Sequence, residues 1–444
     1  MGTPIDTTAA PPPARAPLMT VEEALQRLLQ AVQPLDLPVE EAPLEEADGR
    51  VLAADVVAAL DVPGFDNSQM DGYAVRAADV AAAVAEGRAL PVAQRIAAGA
   101  FGAALQPGTV ARIFTGAPLP TGADAVVMQE EAQPGEPPPG ADATLGAHGW
   151  VRFASAPALG QWVRRRGEDV ARGAVALAAG LRLRPAHLGV AASLGVARLP
   201  VRRRLRVALA PTGDELVQPG TVPPERLPPG AIYNSSRYAL VPLLRRLGFD
   251  VTVLPALPDE RAATERALAQ AALTHDALLT TGGVSVGEAD HVKPAVQALG
   301  GLDLWQVSMK PGKPFMHGFI DRERLGGQGR CHVFGLPGNP VSSLVTFLLL
   351  ARPALLWLAG AAVTPALPPA LLARADFDWP RPDKRREFVR VRRNADGALE
   401  VFPNQNSSVL TSVAWADGLA DIVAGRTLRR GELVPYWPLA DFLA

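Results

Sequence analysis

Of 43 basic residues only four are lysine, Lys293, Lys310, Lys313 and Lys384, and the rest are arginine. A chain that writes arginine wherever a cation suffices keeps lysine where a compact ammonium does what the planar guanidinium fork does not. Three of the four fall between 293 and 313, and Lys310-Pro-Gly-Lys313 sets two in a turn from which charge can be aimed. That pair reads as a receptor for an anion. The stretch Thr281-Gly-Gly-Val-Ser-Val-Gly-Glu-Ala-Asp290 mixes glycines, hydroxyls and acids. Its small residues free backbone N–H groups to face an anion, while Glu288 and Asp290 could hold a divalent ion on the anion's other side. A tight structural turn is the plainer reading of glycines alone, and the loop lacks the Gly-Lys-Ser/Thr of a Walker motif. Asp214-Glu215, Asp259 and Asp290 form a carboxylate set suited to Mg2+, which takes one or two carboxylates plus waters and phosphate oxygens.

These groups need elements to bring them together. From about 205 onward strands alternate with helices, which implies a mostly parallel sheet with right-handed crossovers. The strands expected are 205–210, 249–254, 277–281, 303–308 and 331–334. A helix is expected from Ser235 to Leu247, kinked or delayed by Pro242, and another over 260–273 with Asp259 as its N-cap. Pro340 should open a long apolar helix after Gly335-Leu-Pro-Gly-Asn339. Each motif follows a strand, and ligands of such sheets sit beyond the carboxyl ends of the strands, so the motifs should share one cleft. Upstream, Thr20 and Glu23 form a capping box for an amphipathic helix over 20–32. Residues 51–149 read as a β-rich insertion whose stretch 132–149 is a Pro/Gly/Ala surface loop, and 362–444 as a C-terminal β domain. The remaining segments, 18–50 and 150–200, make a helical and mixed connecting domain, leaving 201–361 as the α/β domain and 1–17 as a disordered tail. The fold class is therefore multidomain α/β and β.

Composition removes several alternatives. A single cysteine, Cys331, excludes an intramolecular disulfide and multi-thiolate zinc or iron–sulfur centres. The six histidines are scattered, without zinc-protease pairing. A formal net charge of −2 argues against a nucleic-acid partner. The longest apolar run, 341–358, is interrupted by Ser342, Ser343, Thr346, Arg352 and Pro353, so no membrane span is expected. The N-terminal stretch has no basic and apolar signal pattern, and a cytoplasmic location is expected. Arg164-Arg-Arg-Gly-Glu-Asp169 reads as a solvated loop, and Asn67-Ser-Gln-Met-Asp71-Gly-Tyr as a shaped loop without periodicity.

Seven motifs occur in order: Asp66 to Arg76, Ile113-Phe-Thr-Gly-Ala117, Arg165-Arg-Gly-Glu-Asp169, Thr212-Gly-Asp-Glu-Leu216, Gly282 to Asp290, Lys310-Pro-Gly-Lys-Pro314 and Leu336-Pro-Gly-Asn-Pro-Val-Ser342. Together they resemble the molybdopterin molybdenumtransferase (MoeA-like) family, to which the C-terminal half of gephyrin is similar. The resemblance implies a four-domain homodimer with a molybdopterin-binding α/β domain. It also implies insertion of molybdate into adenylyl-molybdopterin with release of AMP, Mg2+ as cofactor, and a transient contact with the molybdopterin adenylyltransferase. Carried residue by residue, it implies catalytic roles for Asp71, Asp169, Glu215, Asp259 and Asp290, the last three also at the metal. It implies substrate contacts from Thr115, Thr212, Gly282, Gly283, Ser285, Gly287, Pro337, Gly338, Asn339 and Pro340. Molybdate would meet Lys310, Lys313, Ser342, Arg385 and Ser407 or Ser408. An adenylyltransferase of the same α/β type and a noncatalytic scaffold are the rival readings. The extra domains and the Asp71 loop weigh against the first, and the full set of acids and lysines against the second.

Overall fold

The computed structural model describes residues 18–284, 290–362 and 366–443; the expected N-terminal tail, and Ser285, Gly287 and Glu288 of the anion loop, lie outside them. The fold is built around one six-stranded sheet. Its strands in chain order are β1 (Arg206–Pro211), β2 (Asp250–Val253), β3 (Ala277–Thr281), β4 (Gly300–Trp305), β5 (Met316–Asp321) and β6 (Arg330–Leu336). In space they run β2-β1-β3-β6-β5-β4. The first four are mutually parallel, while β5 and β4 are antiparallel additions at one edge. Every residue of β3 is buried, as expected of a central parallel strand covered on both faces. The 303–308 strand lies earlier than its sequence suggests, because Gly300 and Gly301 pair with Ile320 and Phe319 and take the strand's start.

Two apolar layers flank the sheet. On one side lie Leu268, Ala272, Val292 and Val296, from the helices Arg261–Thr274 and Val292–Leu299. On the other side are the helix Ser235–Arg246, with Pro242 inside it, and the continuous helix Pro340–Leu358, which passes through a π-turn at Phe347–Ala351. That second helix is, among the described residues, the one long and apolar enough to cross a membrane, and 94% of its apolar window is buried inside the protein. It serves as a core element, each fully buried Leu or Phe contributing about 1.5–3 kcal/mol. The helix Val21–Ala31 carries the expected capping box, Thr20 N–H donating to Glu23 at 2.8 Å and Glu23 N–H to Thr20 Oγ1 at 3.1 Å. Its apolar face joins the same core as Val307 and Phe347.

Asp259 does not cap the helix that follows it. Glu260 holds the cap position without a side-chain bond, and the Asp259 N–H instead points to Asp214 Oδ1 at 3.4 Å. The carboxylate is thereby left to face the strand ends. The stretch expected as a surface loop after 131 is partly ordered: Ala132–Pro134 pairs with Trp150–Phe153, and a 3-10 turn spans Ala143–Gly146. Elsewhere short antiparallel pairs tie distant segments, Val39–Pro43 with Arg198–Arg202 and Val56–Val57 with Val175–Leu177. The C-terminal sheet is built on Arg386–Arg393, Gly418–Ile422 and Leu433–Pro438, with Leu371–Arg374 at one edge and a strand contributed from elsewhere in the chain at the other.

Candidate functional site: a charged groove at the strand ends

The carboxyl ends of β1, β3 and β6 deliver Thr212, Gly282 and Pro337 to one place, and three adjoining cavities open there. The largest, of about 630 Å³, runs past Thr212, Tyr233, Asn234, Pro340 and Ser408. A smaller recess of about 270 Å³ holds Glu215, Asp259 and Asp290 with Gly282, Gly283 and Gly338. A third, of about 550 Å³, lies between the lysine turn and the C-terminal sheet and is lined by Lys310, Lys313, Ser342, Arg385, Arg390 and Ser407. Pro314 borders all three, and Asn339 borders the first and third, so they form one groove.

Backbone geometry shapes the acidic recess. Gly282 has φ of +100°, and a Cβ there would stand 2.5 Å from Thr212 Oγ1, so glycine alone lets the β3 exit turn pass beside β1. Thr212 Oγ1 in turn donates to Thr281 O at 3.1 Å. Among the described residues no three His, Cys, Asp or Glu side chains are close enough to hold a metal by themselves. The donor set fits Mg2+ in its usual manner, with one or two carboxylates and the other positions filled by water and a phosphate-bearing substrate.

The lysine turn differs most from its sequence reading. Met309–Lys310 is one of the two outer strands of the C-terminal sheet, pairing in parallel with Arg386–Arg393. That register sets the Lys310 Nζ 2.8 Å from Glu387 Oε1 and 3.3 Å from Asp383 Oδ2. Burial pulls the Lys310 ammonium down, but Glu387 and Asp383 more than offset this and hold it above its ordinary value. Asp383 is also gripped by Arg385, whose Nε and Nη2 each stand 3.2 Å from its oxygens; this fork, with Lys310, holds the Asp383 carboxyl well below the usual range. Lys310 and Arg385 thus line the cavity already neutralised. Lys313, among the described residues, has no ion pair.

Arg390 was not singled out from sequence. It is one of the largest fully buried side chains, yet no carboxylate among the described residues meets it: Nε donates to Ser412 Oγ at 3.2 Å, Nη1 to Phe388 O at 3.4 Å and Nη2 to Asn406 O at 3.3 Å. Burial lowers its guanidinium to about 10, so it remains charged at neutral pH. The signal was present in Glu387-Phe-Val-Arg-Val: with the period of two of a strand, Arg390 shares a face with Phe388. Glu387 and Asp383 carried no such signal, since their partner Lys310 is distant in sequence.

The remaining site candidates lie elsewhere in the chain. Asp71 Oδ1 accepts from both the N–H and the hydroxyl of Thr115 at 2.8 Å, which holds its exposed carboxyl below the ordinary range. Asp169 is exposed beyond Val62, to whose carbonyl its N–H donates at 3.0 Å. Neither these nor Thr115 lines any of the three cavities. The neighbouring arginine run is less free than expected, since Arg165 and Arg166 pair with Asp66 and Asp61 at 2.7 and 2.6 Å.

An α/β sheet with a glycine-lined acidic recess beside a cavity rich in basic side chains, and with β-rich domains in the same chain, is a multidomain architecture of the kind that suits anionic ligands. Comparison with known sequences and structures narrows this. Residues 19–195 match the MoeA N-terminal region (domain I and II), 208–357 the probable molybdopterin binding domain, and 372–439 the MoeA C-terminal region (domain IV). The chain is 39% identical over 344 residues to molybdopterin molybdenumtransferase of Haemophilus influenzae, covering 77% of this chain and 78% of that protein. It is 37% identical over 410 residues to molybdopterin molybdenumtransferase 2 of Mycobacterium tuberculosis, covering 90% and 94%. The crystal structure of the molybdopterin biosynthesis MoeA protein of Pyrococcus horikoshii superposes with a TM-score of 0.76 at 28% identity, over 95% of this chain and 99% of that one. The chain belongs to the MoeA family of molybdopterin molybdenumtransferases.

Proposed function

We propose that the chain inserts molybdate into adenylyl-molybdopterin and releases AMP. The observation that carries the reading is the pairing within one groove of a cavity with surplus positive charge and a carboxylate recess, joined at Pro314. Around the cavity Lys310, Lys313, Arg385 and Arg390 stand against Glu387 and Asp383, an excess matching the charge of a tetrahedral oxyanion dianion. Lys313, Ser342 and Ser407 are the groups that would contact the oxyanion, with Lys310 and Arg385 holding the wall. The backbone of Gly282, Gly283 and Gly338 allows close approach of a phosphate.

One or two of Glu215, Asp259 and Asp290 would hold Mg2+, with water and substrate oxygens at its other positions, and the bound ion would supply charge screening of the phosphoanhydride. Thr212, whose hydroxyl proton goes to Thr281 O, would border the nucleotide portion, and Pro337, Asn339 and Pro340 would border the substrate. No Ser–His–Asp or Cys–His arrangement is required, because the reaction asks the protein chiefly to position two anionic reactants. Asp71, Thr115 and Asp169 would complete the site from the partner subunit of a homodimer.

The test is direct. Purified protein given adenylyl-molybdopterin, Mg2+ and molybdate should release AMP and yield a molybdenum-loaded pterin. Protein given molybdopterin and ATP should not produce the adenylylated form. The reverse pattern would make it the adenylyltransferase, and inactivity in both would leave the scaffold reading.

A further inference from the structure

We propose that Asp303, His317 and His332 are positioning residues, a clamp across the base of the hairpin that delivers Lys313 to the oxyanion cavity. The inference rests on the reading of that cavity as the molybdate site. β4 and β5 are the arms of this hairpin, Trp305 and Met316 are their last pair, and the lysine turn is the loop between them. Gln306 N–H continues the ladder to Phe315 O at 2.9 Å. The Lys313 carbonyl then accepts from Val307 N–H at 3.0 Å and from Phe315 N–H at 3.1 Å. The arms therefore set the backbone of Lys313, whereas the C-terminal sheet sets that of Lys310.

The arms are fastened by charge. β4 pairs Leu302 with Gly318 and Leu304 with His317, which leaves Asp303 between them as a bulge. A bulge re-aims a side chain, and Asp303 Oδ2 stands 3.2 Å from His317 Nδ1. That nitrogen is buried without an aligned hydrogen-bond partner among the described residues, so the carboxylate meets it as a charge at close range. On the other side His317 Nε2 lies 3.2 Å from Nδ1 of His332, on β6. Contact with His317 holds the Asp303 carboxyl below its ordinary range. Burial, and then the His317 ring, push His332 down to about 3, so it stays a neutral partner. Arg330, whose guanidinium lies 4.0 Å from the Phe319 ring centre, and Arg322 add positive potential that favours the neutral form. Two imidazoles buried beside Phe334 carry a desolvation cost that aliphatic side chains would not. Their place explains it: His317 stands two residues beyond Phe315, where β5 leaves the loop. On the facing arm Gln306 holds φ of +67°, a conformation kept where the surroundings over-determine it.

The test reads affinity and local order separately, by calorimetric titration with sodium molybdate and by hydrogen exchange over 306–315. Asp303→Asn keeps the shape and removes the charge. It should weaken molybdate about fivefold, the scale of a partly exposed ion pair, and speed exchange at Val307 and Phe315 while β3 stays protected. Asp303→Glu, which restores the carboxylate, should recover most of the affinity. The Mg2+ concentration for half-maximal AMP release should stay within about twofold of wild type in both, because the acidic recess is built on other strands. Should Asp303→Asn fail to fold, His332→Phe keeps a ring beside Phe334, removes the Nδ1 partner and should weaken molybdate in the same way.

Loss of molybdate affinity matched by an equal shift in the Mg2+ response, with no recovery in Asp303→Glu, would make the clamp merely structural and overturn the proposal. Wild-type protein that releases AMP from adenylyl-molybdopterin, beside a folded Asp303→Asn form that binds molybdate as the wild type does, would sink this inference alone. Wild-type protein that binds no molybdate and releases no AMP would remove the functional reading and this inference together.

Discussion

Lys310 and Lys313 should behave differently when replaced, although both sit in the same turn and line the same cavity. Lys310→Ala strips the counter-ion from Glu387, whose side chain is only 5% exposed and which, among the described residues, keeps the Trp379 indole bond at 2.8 Å. Leaving such a group unsatisfied costs about 1–3 kcal/mol. The lower half of that range applies, because the Lys310 side chain is 44% exposed and water screens its end of the pair. Lys313→Ala removes no such partner and should leave stability within about 0.5 kcal/mol. The double variant Lys310→Ala/Glu387→Gln deletes one charge of each sign. It should recover most of the lost stability and, because the net charge around the cavity is restored, most of the molybdate affinity. Hydrogen exchange over Arg386–Arg393 reads the first effect and calorimetric titration with molybdate the second. A double variant that binds molybdate as weakly as Lys313→Ala would refute the claim that Lys310 is neutralised in place.

Three further outcomes are expected. Gly312→Ala should weaken molybdate binding and lower the melting temperature, since Gly312 has φ of +112° and a Cβ there would lie 2.4 Å from Thr346 Cγ2; unchanged binding would mean the turn yields without moving Lys313. Asp276→Asn should cost about 3 kcal/mol, because the buried carboxylate takes the Arg203 fork at 2.7 and 2.9 Å and the Arg206 N–H at 2.8 Å. Burial raises the Asp276 carboxyl and those three donors more than offset it, so its pKa in the folded protein lies below that in the unfolded chain. Its stabilisation is thus complete above about pH 4 and lost as pH falls through the lower folded value; denaturant titrations across acid pH should show a slope that Asp276→Asn lacks. Asp290→Ala should slow AMP release and raise the Mg2+ concentration needed for half-maximal rate; a folded variant with the wild-type Mg2+ response would take Asp290 out of the metal set.

The fold class was legible because strand and helix periods differ and because each motif followed a strand. The rule that ligands gather beyond the strand ends places Thr212, Glu215, Asp259, Gly282 and Pro337 together from the sequence pattern alone, and they line adjoining recesses. Lysine scarcity pointed to a turn that lines one of the three cavities. What remained hidden was pairing across domains: Glu387 and Asp383 meet Lys310 only because a two-residue strand docks on another sheet, and no local pattern encodes that register. Asp259 was misread as a cap because a carboxylate before a helix fits that role by spacing alone, whereas the chain gives the cap position to Glu260. The Asp71–Thr115 pair was legible as two motifs, but their joining across two strands of the inserted sheet is a tertiary fact.

The strand Met309–Lys310 belongs by sequence to one folding unit and by hydrogen bonding to another. The oxyanion end is consequently a seam: neither piece, expressed separately, would own a complete wall, and a chain cut after the core helix would lose Arg385, Arg390 and Ser407 together. Such a joint also makes the pocket a reporter of docking between the two units, formed when they meet and dissolved when they part.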